Sequence, residues 1–399
     1  MKFAGIIAEY DPFHNGHAWQ LQAARALGAQ YVAVVMSCGL TQRGAPPLLP
    51  ETVRGKAALN AGADFVFALP APYACAGAEA FARAGVHLLS AAGCDGLVFG
   101  AESPDAKLFM DAAKLLCSEQ YCHALKAELN GGAKNFAAAR QAAVRTLCVN
   151  SALADLLDKP NNNLGVEYCK AILEQSAGLE PCPMPRLGAG HGQALDETQE
   201  CYASASALRT LWEQGDISTI AQYVPSKAME LYAEAFEAGR YTDFAASGHS
   251  ELSLLRAKAV DPKAFCNIRC VSEGLEHRLY NAVRESTSLP ELLDKLTTVR
   301  YPRARMRRLA MDAALGFEAD ALPALPPYLH LLGAKKDALP LLKNASLPVS
   351  HSLAKLANTS DECAAVAHAQ AAASDFTAFQ RKKPEAMGSI YRQKIIFST

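Results

Sequence analysis

The chain has 399 residues, half of them hydrophobic and a fifth charged, with a formal net charge of −1. That length holds two or three domains with real cores, and the composition is that of an ordinary soluble protein. No stretch approaches the roughly 18 uninterrupted apolar residues of a membrane span, and the opening "MKFAGIIAEYDPFHNGH" is not a secretory leader. A soluble, cytoplasmic protein with no membrane partner is therefore expected. Balanced charge does not exclude RNA, because a local basic patch supplies the attraction. The twelve cysteines, spread from Cys38 to Cys363, form no dense framework. The closest pairs, Cys117/Cys122 and Cys266/Cys270, lack the second CxxC or His pair of a zinc site. They read as buried thiols in a reduced compartment, with no metal site.

In chain order, "KFAGII" (2–7) reads as a buried strand and "HAWQLQAARALGA" as a helix ending at Gly28. A second apolar strand, "YVAVVMS" (31–37), precedes the helix "PETVRGKAALNAGA" (50–63), which has Pro at its start. "DFVFALP" (64–70) is the third strand, "AGAEAFARAGVHLLSAAG" (76–93) the next helix, and "DGLVFG" (95–100) the fourth strand. This alternation predicts an α/β fold: a parallel sheet covered by helices on both faces, with ligands at the carboxyl ends of its strands. The segments "AEYDPFHNGH", "SCGLTQRG", "LPAPYA" and "FGAES" all fall at those ends.

Residues 105–160 are helical and Ala-rich, an insertion into a catalytic domain spanning 1–215. "KPNNNLGVEYCKAIL" (159–173) reads as a loop entering a helix, and "PCPMPRLGAGHG" (181–192) as an extended segment before a Gly-rich loop. Residues 216–399 read as a mainly helical region, with the Pro-rich connector "ADALPALPPYLH" (319–330) before the last segment. The final "RQKIIFST" is compatible with a strand returning to a sheet.

Chemistry concentrates at His14-Asn15-Gly16-His17, an HxGH motif between the first strand and the first helix. Free N–H groups and the positive end of the helix dipole favour a triphosphate there. Gly16 lets the nucleotide approach the backbone, and two imidazoles can donate to phosphate oxygens as charge moves onto leaving pyrophosphate. Downstream, "SASALR" (204–209) places Ser204, Ser206 and Arg209 at a helix start, which suits a polyphosphate. Ser at a helix start is also a plain N-cap. Arg43, in "TQRG" after strand two, stands at the ligand edge, facing phosphate, RNA or solvent.

The HxGH motif resembles the signature of the HIGH-type nucleotidyltransferase superfamily, whose domain is Rossmann-like. The whole chain resembles the bacterial tRNA(Met) cytidine acetate ligase family. The resemblance runs through "EYDPFHNGH", "VMSCGLTQRGAPPLL", "GADFVFALP", "FGAE", "PNNNLGVEY", "RLGAGH", "SASALR", "VSEGLEHRL" and "RYPRARMRRL", in the family's order. It implies that ATP activates acetate to acetyl-adenylate and that the acetyl group passes to N4 of the wobble cytidine of elongator tRNA(Met). It assigns ATP binding to Ile7, Ala8, Glu9, Tyr10, Asp11, Pro12, Phe13, His14, Asn15, Gly16, His17, Ala18, Trp19 and Gln20, with Gly100, Asn161 or Asn162, and Arg186. His14, His17, Ser204 and Arg209 are the catalytic candidates. Asp11 departs from the family's more frequent Asn, and Leu40 from its common Phe. Mg²⁺ is expected with the triphosphate rather than from a ligand motif.

The segment "KLTTVRYPRARMRRLAM" (295–311) has no acidic residue. As a helix it would present Arg300, Arg303 and Arg307 along one side, with Tyr301 as a stacking face for RNA. A solvated, ion-paired helix face is the competing reading. Two other functions stay open at this stage. One is a small-molecule nucleotidyltransferase, usually much shorter; the other is a non-catalytic RNA-binding protein on a decayed site.

Overall fold

A computed structural model describes residues 1–148, 151–185, 202–272 and 274–398. Strand β1 (Phe3–Ala8) lies between β2 (Tyr31–Ser37) and β4 (Gly96–Ala101), parallel to both. Beyond β2 comes β3 (Phe65–Leu69), and beyond β4 comes β5 (Glu180–Pro185), again parallel. The register is direct: Ile6 faces Val34 and Ala8 faces Met36 across β1 and β2. These strands are continuous apolar runs because helices cover both faces.

Helix α1 (Asn15–Ala26) connects β1 to β2, and α2 (Glu51–Asn60) connects β2 to β3. The short α3 (Ala71–Ala74) and α4 (Ala78–Ala91) lead to β4. Two glycines set how closely α4 lies on β1. A methyl group at Gly5 would meet the Leu89 side chain at 2.6 Å, and one at Gly85 would meet Ile7 at 2.6 Å. The chain thus runs outward from β1 through β2 to β3, then returns across β1 to β4. That reversal puts a crevice beyond the carboxyl ends of β1 and β4, the position where open α/β sheets take ligands.

The insertion is helical, as expected: α5 (Ala106–Leu116), α6 (Glu119–Asn130), α7 (Phe136–Leu147) and α8 (Ser151–Leu156) lead into α9 (Pro160–Glu174), which packs on α4 and α5. After β5 come α10 (Ala205–Glu213), α11 (Ile217–Ile220) and α12 (Ser226–Glu237). Four further helices, α13 (Phe244–Lys258), α14 (Leu275–Glu285), α15 (Leu289–Leu296) and α16 (Arg303–Leu315), close round a second core. Leu255, Phe265, Leu279, Leu292, Met306 and Leu309 belong to it.

The sheet then continues beyond the reading from sequence. β6 (Leu329–Ala334) adds to β3 antiparallel, and β7 (Val349–Ser350) and β8 (Ile396–Phe397) both pair with β6. The sheet therefore draws three of its eight strands from the region read as mainly helical. "LHLLGA" was not legible as a strand because a short apolar run after prolines has no periodicity to separate strand from helix. The last segment, "RQKIIFST", does return to the sheet through β8. Helices α17 (Leu353–Ala357) and α18 (Asp361–Phe379) cover this edge.

The cysteine expectation is half corrected. Cys38, Cys75, Cys94, Cys169 and Cys363 are buried, but Cys117, Cys122, Cys266 and Cys270 are exposed, and none of the described cysteines forms a disulfide. The exposed four sit at helix ends and turns, outside the apolar stripes.

Candidate active site

Helix α1 starts at the crevice with an unusual cap. His14, the N-cap, is extended (φ −143°) and its Nδ1 accepts from Gly16 N–H at 3.1 Å. His17 Nδ1 accepts from His14 N–H at 3.2 Å, so two imidazoles play the parts that Ser and Glu play in a capping box. Acceptance at both Nδ1 atoms puts each ring proton on Nε2. The rings stack with centroids 3.7 Å apart. A methyl group at residue 16 would lie 3.0 Å from the His14 ring, so glycine makes room for the cap.

The turn feeding this cap is pinned from three sides. Alternate carbonyls of residues 9, 11 and 13 each accept from a side chain on a different helix. Arg54 of α2 donates to Glu9 O at 2.5 Å, Arg209 of α10 to Asp11 O at 2.5 Å, and Tyr232 of α12 to Phe13 O at 2.7 Å. Asn15 Nδ2 adds a bond to Gln222 O at 3.2 Å. Tyr10 sits at φ +51°, a costly region for a bulky residue. Its buried ring packs edge-on to Phe13 and tilted over His17, and burial pushes its hydroxyl above the ordinary tyrosine value. Pro12 is also buried, whereas Ala18, Trp19 and Gln20 are half-buried along the first turns of α1.

Charges cluster beside this turn. Arg43 reaches Asp11 at 2.7 Å and Glu9 at 3.3 Å, and Arg209 reaches the same Asp11 oxygen at 3.3 Å. Burial works against the Arg43 charge, but the two carboxylates outweigh it and raise its pKa. Burial lowers that of Arg209; Asp11 opposes the drop and the like charge of Arg43 adds to it. Ser204 is the N-cap of α10, its Oγ accepting from Ala207 N–H at 3.2 Å and lying 3.0 Å from Ser206 Oγ. Ser204 therefore fills the cap role, while Arg209 joins Asp11 and the HxGH turn across nearly 200 residues of sequence.

Across the crevice, Gln20 of α1 donates to Val98 O of β4 at 3.1 Å. Gly100 lies near the end of β4, and Glu102 and Ser103 just beyond it bond the start of α9. Asn162 Oδ1 accepts from Glu102 N–H and Ser103 N–H, while Glu102 accepts from Asn161 Nδ2 and Asn162 N–H. Both asparagines therefore hold the loop that follows Gly100. Arg186 lies outside the described residues.

The Arg-rich helix is split in its duties. Arg307, expected from sequence to face RNA, holds Glu251 of α13 through both its Nη atoms, at 2.6 and 2.7 Å. Glu251 is fully buried, and burial pushes its carboxyl up while Arg307 pulls it down. A carboxylate without solvent needs such a partner. Arg303 is exposed and pairs with Asp294, and Tyr301 carries Arg305 at 5.1 Å and Arg300 at 5.8 Å over its ring. Arg308 turns toward the site, 3.5 Å from Gln42 O.

Gly44 allows that approach. It has φ +75°, and a Cβ there would lie 3.0 Å from the Arg308 backbone. The sequence reading missed Arg54, Tyr232 and Arg308. Nothing in the sequence singled out Arg54, which shares its helix with Glu51 and Lys56.

Among the described residues no three His, Cys, Asp or Glu side chains gather as metal ligands, and no helix is long and apolar enough to cross a membrane. The HIGH nucleotidyl transferase family model matches residues 1–388. A tRNA(Met) cytidine acetate ligase of Caldicellulosiruptor bescii is 35% identical over 84% of this chain and 82% of its own. The Bacillus subtilis protein of the same name is 33% identical over the same shares. A crystal structure of Thermotoga maritima TmcAL bound with alpha-thio ATP is 26% identical and superposes over the full length of both chains with a TM-score of 0.90. Similarity of this extent, carried through HxGH and the C-terminal helices alike, makes the chain a member of the tRNA(Met) cytidine acetate ligase family.

Proposed function

We propose that the chain joins acetate to ATP, releasing pyrophosphate, and then passes the acetyl group to N4 of the wobble cytidine of elongator tRNA(Met) in the cytoplasm. The observation that carries this reading is the doubly capped HxGH turn with Arg43 and Arg209 beside it, at the switch point of the sheet. Acetate is ionised at neutral pH and needs no general base. One carboxylate oxygen attacks the α-phosphorus, the bond to the bridging oxygen breaks, and pyrophosphate leaves. The site contributes alignment and charge stabilisation: Nε2–H of His14 and His17, the positive end of the α1 dipole, and the two guanidiniums. The cytidine amine then attacks the acetyl carbon, loses a proton and expels AMP. No cysteine takes part.

Mg²⁺ would enter as the counter-ion of the triphosphate, held by phosphate oxygens and water. The nearest carboxylates do not form a cage for it: Asp11 and Glu9 are occupied by Arg43 and by the N–H groups of Leu48 and Gln42. For the tRNA, Arg300, Arg303 and Arg305 offer guanidiniums for phosphates and Tyr301 a ring for an unstacked base, with Arg308 nearer the HxGH side.

The test is ATP–pyrophosphate exchange with and without acetate, followed by acetylation of tRNA(Met) transcript. Exchange that depends on acetate and disappears in His17→Ala supports the reading. Pyrophosphate release with a phosphorylated metabolite, and none with acetate, would return the small-molecule transferase.

A further inference from the structure

Asp11 is where three separately encoded pieces of the site meet. Its Oδ1 accepts from Leu48 N–H at 2.6 Å, in the loop after β2. Its Oδ2 accepts from Arg43 at 2.7 Å, in the same loop, and from Arg209 at 3.3 Å, on α10. Arg209 also holds the Asp11 carbonyl at 2.5 Å. The residue is only 3% exposed, so its negative charge is not dissipated into water.

Two guanidiniums that share one oxygen are close enough to repel strongly, and an anion between them is what lets both remain there. The residue type matters. An asparagine offers one carbonyl oxygen and one NH2 group, and with its oxygen on Leu48 N–H, its NH2 would confront two guanidinium donors. Only a carboxylate satisfies the amide of one segment and both arginines at once. Both its oxygens are occupied, so it presents no open negative charge to an incoming phosphate.

We propose that Asp11 is a positioning residue that docks α10 and the 42–48 loop onto the β1 turn, so that Arg43 and Arg209 meet the triphosphate as one unit. Asp11 itself touches no phosphate. The proposal rests on the reading of Arg43 and Arg209 as phosphate partners. It also gives the departure from the family's more frequent Asn a physical meaning: here the carboxylate replaces whatever fixes the two arginines in an Asn-bearing chain.

The experiment is steady-state acetate-dependent exchange with the full chain, comparing Asp11→Asn, Arg43→Gln, Arg209→Gln and the Asp11→Asn/Arg43→Gln double variant, with melting temperatures alongside. Asp11→Asn is expected to raise KM for ATP about tenfold, with a smaller change in kcat. In the Arg43→Gln background the same substitution should raise KM less than threefold, because one of the two charges it restrains is gone. Equal effects in both backgrounds, or a lower melting temperature with KM unmoved, overturn the proposal and leave Asp11 a structural residue. If Arg43→Gln and Arg209→Gln both leave KM for ATP unchanged, the phosphate reading itself falls, and the positioning role with it. Should Asp11→Asn fail to fold, Asp11→Glu serves instead: it keeps the charge and both oxygens but shifts them by one methylene, and the same rise in KM, again smaller in the Arg43→Gln background, is expected.

Discussion

The His17 ring lies stacked on that of His14 while its Nδ1 holds the His14 backbone N–H, so each histidine of the HxGH motif fixes the other. The same atoms that cap the helix thereby orient the ring protons. His17→Ala should lose about 1 kcal/mol of stability with the cap. Exchange should fall about 100- to 1,000-fold with the lost donor. His17→Asn retains an acceptor for the cap but no ring, so stability should recover while exchange does not. Recovery of both would reduce His17 to a capping residue. Thermal melts and exchange assays on the two variants separate these roles.

Gly44 joins the loop after β2 to the Arg-rich helix. Gly44→Ala places a methyl against the Arg308 backbone at a positive φ, and neither can give way cheaply. A loss of about 1–3 kcal/mol is expected. Displacement of α16 from the loop should lower tRNA acetylation more than acetate-dependent exchange. Equal losses in the two assays would mean that the contact serves folding alone.

Arg303 and Arg307 are four residues apart in sequence and opposite in expected phenotype. Arg307→Ala strands the buried Glu251 carboxylate and should cost about 3–5 kcal/mol. Arg303→Ala breaks only an exposed pair, worth about 1 kcal/mol or less. If Arg303 meets a tRNA phosphate, its loss should weaken binding for any RNA sequence and reduce the slope of log affinity against log salt by about 1. Filter binding across a salt series, with denaturant melts, reads both effects.

His330 makes stability fall in acid. It is buried on β6, with Nδ1 2.9 Å from Gln370 Nε2 and a backbone hydrogen bond to His351. Burial pushes its pKa down to about 4 from an ordinary 6.5, so the unfolded chain takes up a proton that the folded chain refuses. The favourable contribution of the neutral ring is whole above pH 6.5 and is lost as pH falls from 6.5 towards 4, by about 3 kcal/mol. His330→Gln cannot titrate and should flatten that part of the pH–stability curve. An unchanged slope in the variant would assign the acid sensitivity to other groups.

The parallel half of the fold was legible because its apolar strands alternate regularly with helical segments along the first hundred residues. The HxGH turn was legible for the same reason: a motif confined to four residues needs only local context. The supports of that turn were not. Arg54, Arg209 and Tyr232 act through carbonyls, and any carbonyl can accept, so sequence carries no mark of which one will. Arg209 was found only because it belongs to a second motif. The partner of Arg307 was not legible because charge pattern on one helix does not reveal a buried carboxylate on another. The antiparallel strand β6 escaped because its pairing partner lies more than 260 residues earlier in the chain.

The three braces on carbonyls 9, 11 and 13 also set an order on biosynthesis. The strands and helices of the first hundred residues can associate as they emerge from the ribosome, but two of the three donors are still to be translated. Arg209 and Tyr232 arrive when more than half the polypeptide has been made. A nascent chain can thus acquire the first four parallel strands well before its HxGH turn is fixed, and the braced turn comes late, when much of the C-terminal half, including the last three strands of the sheet, is still to follow.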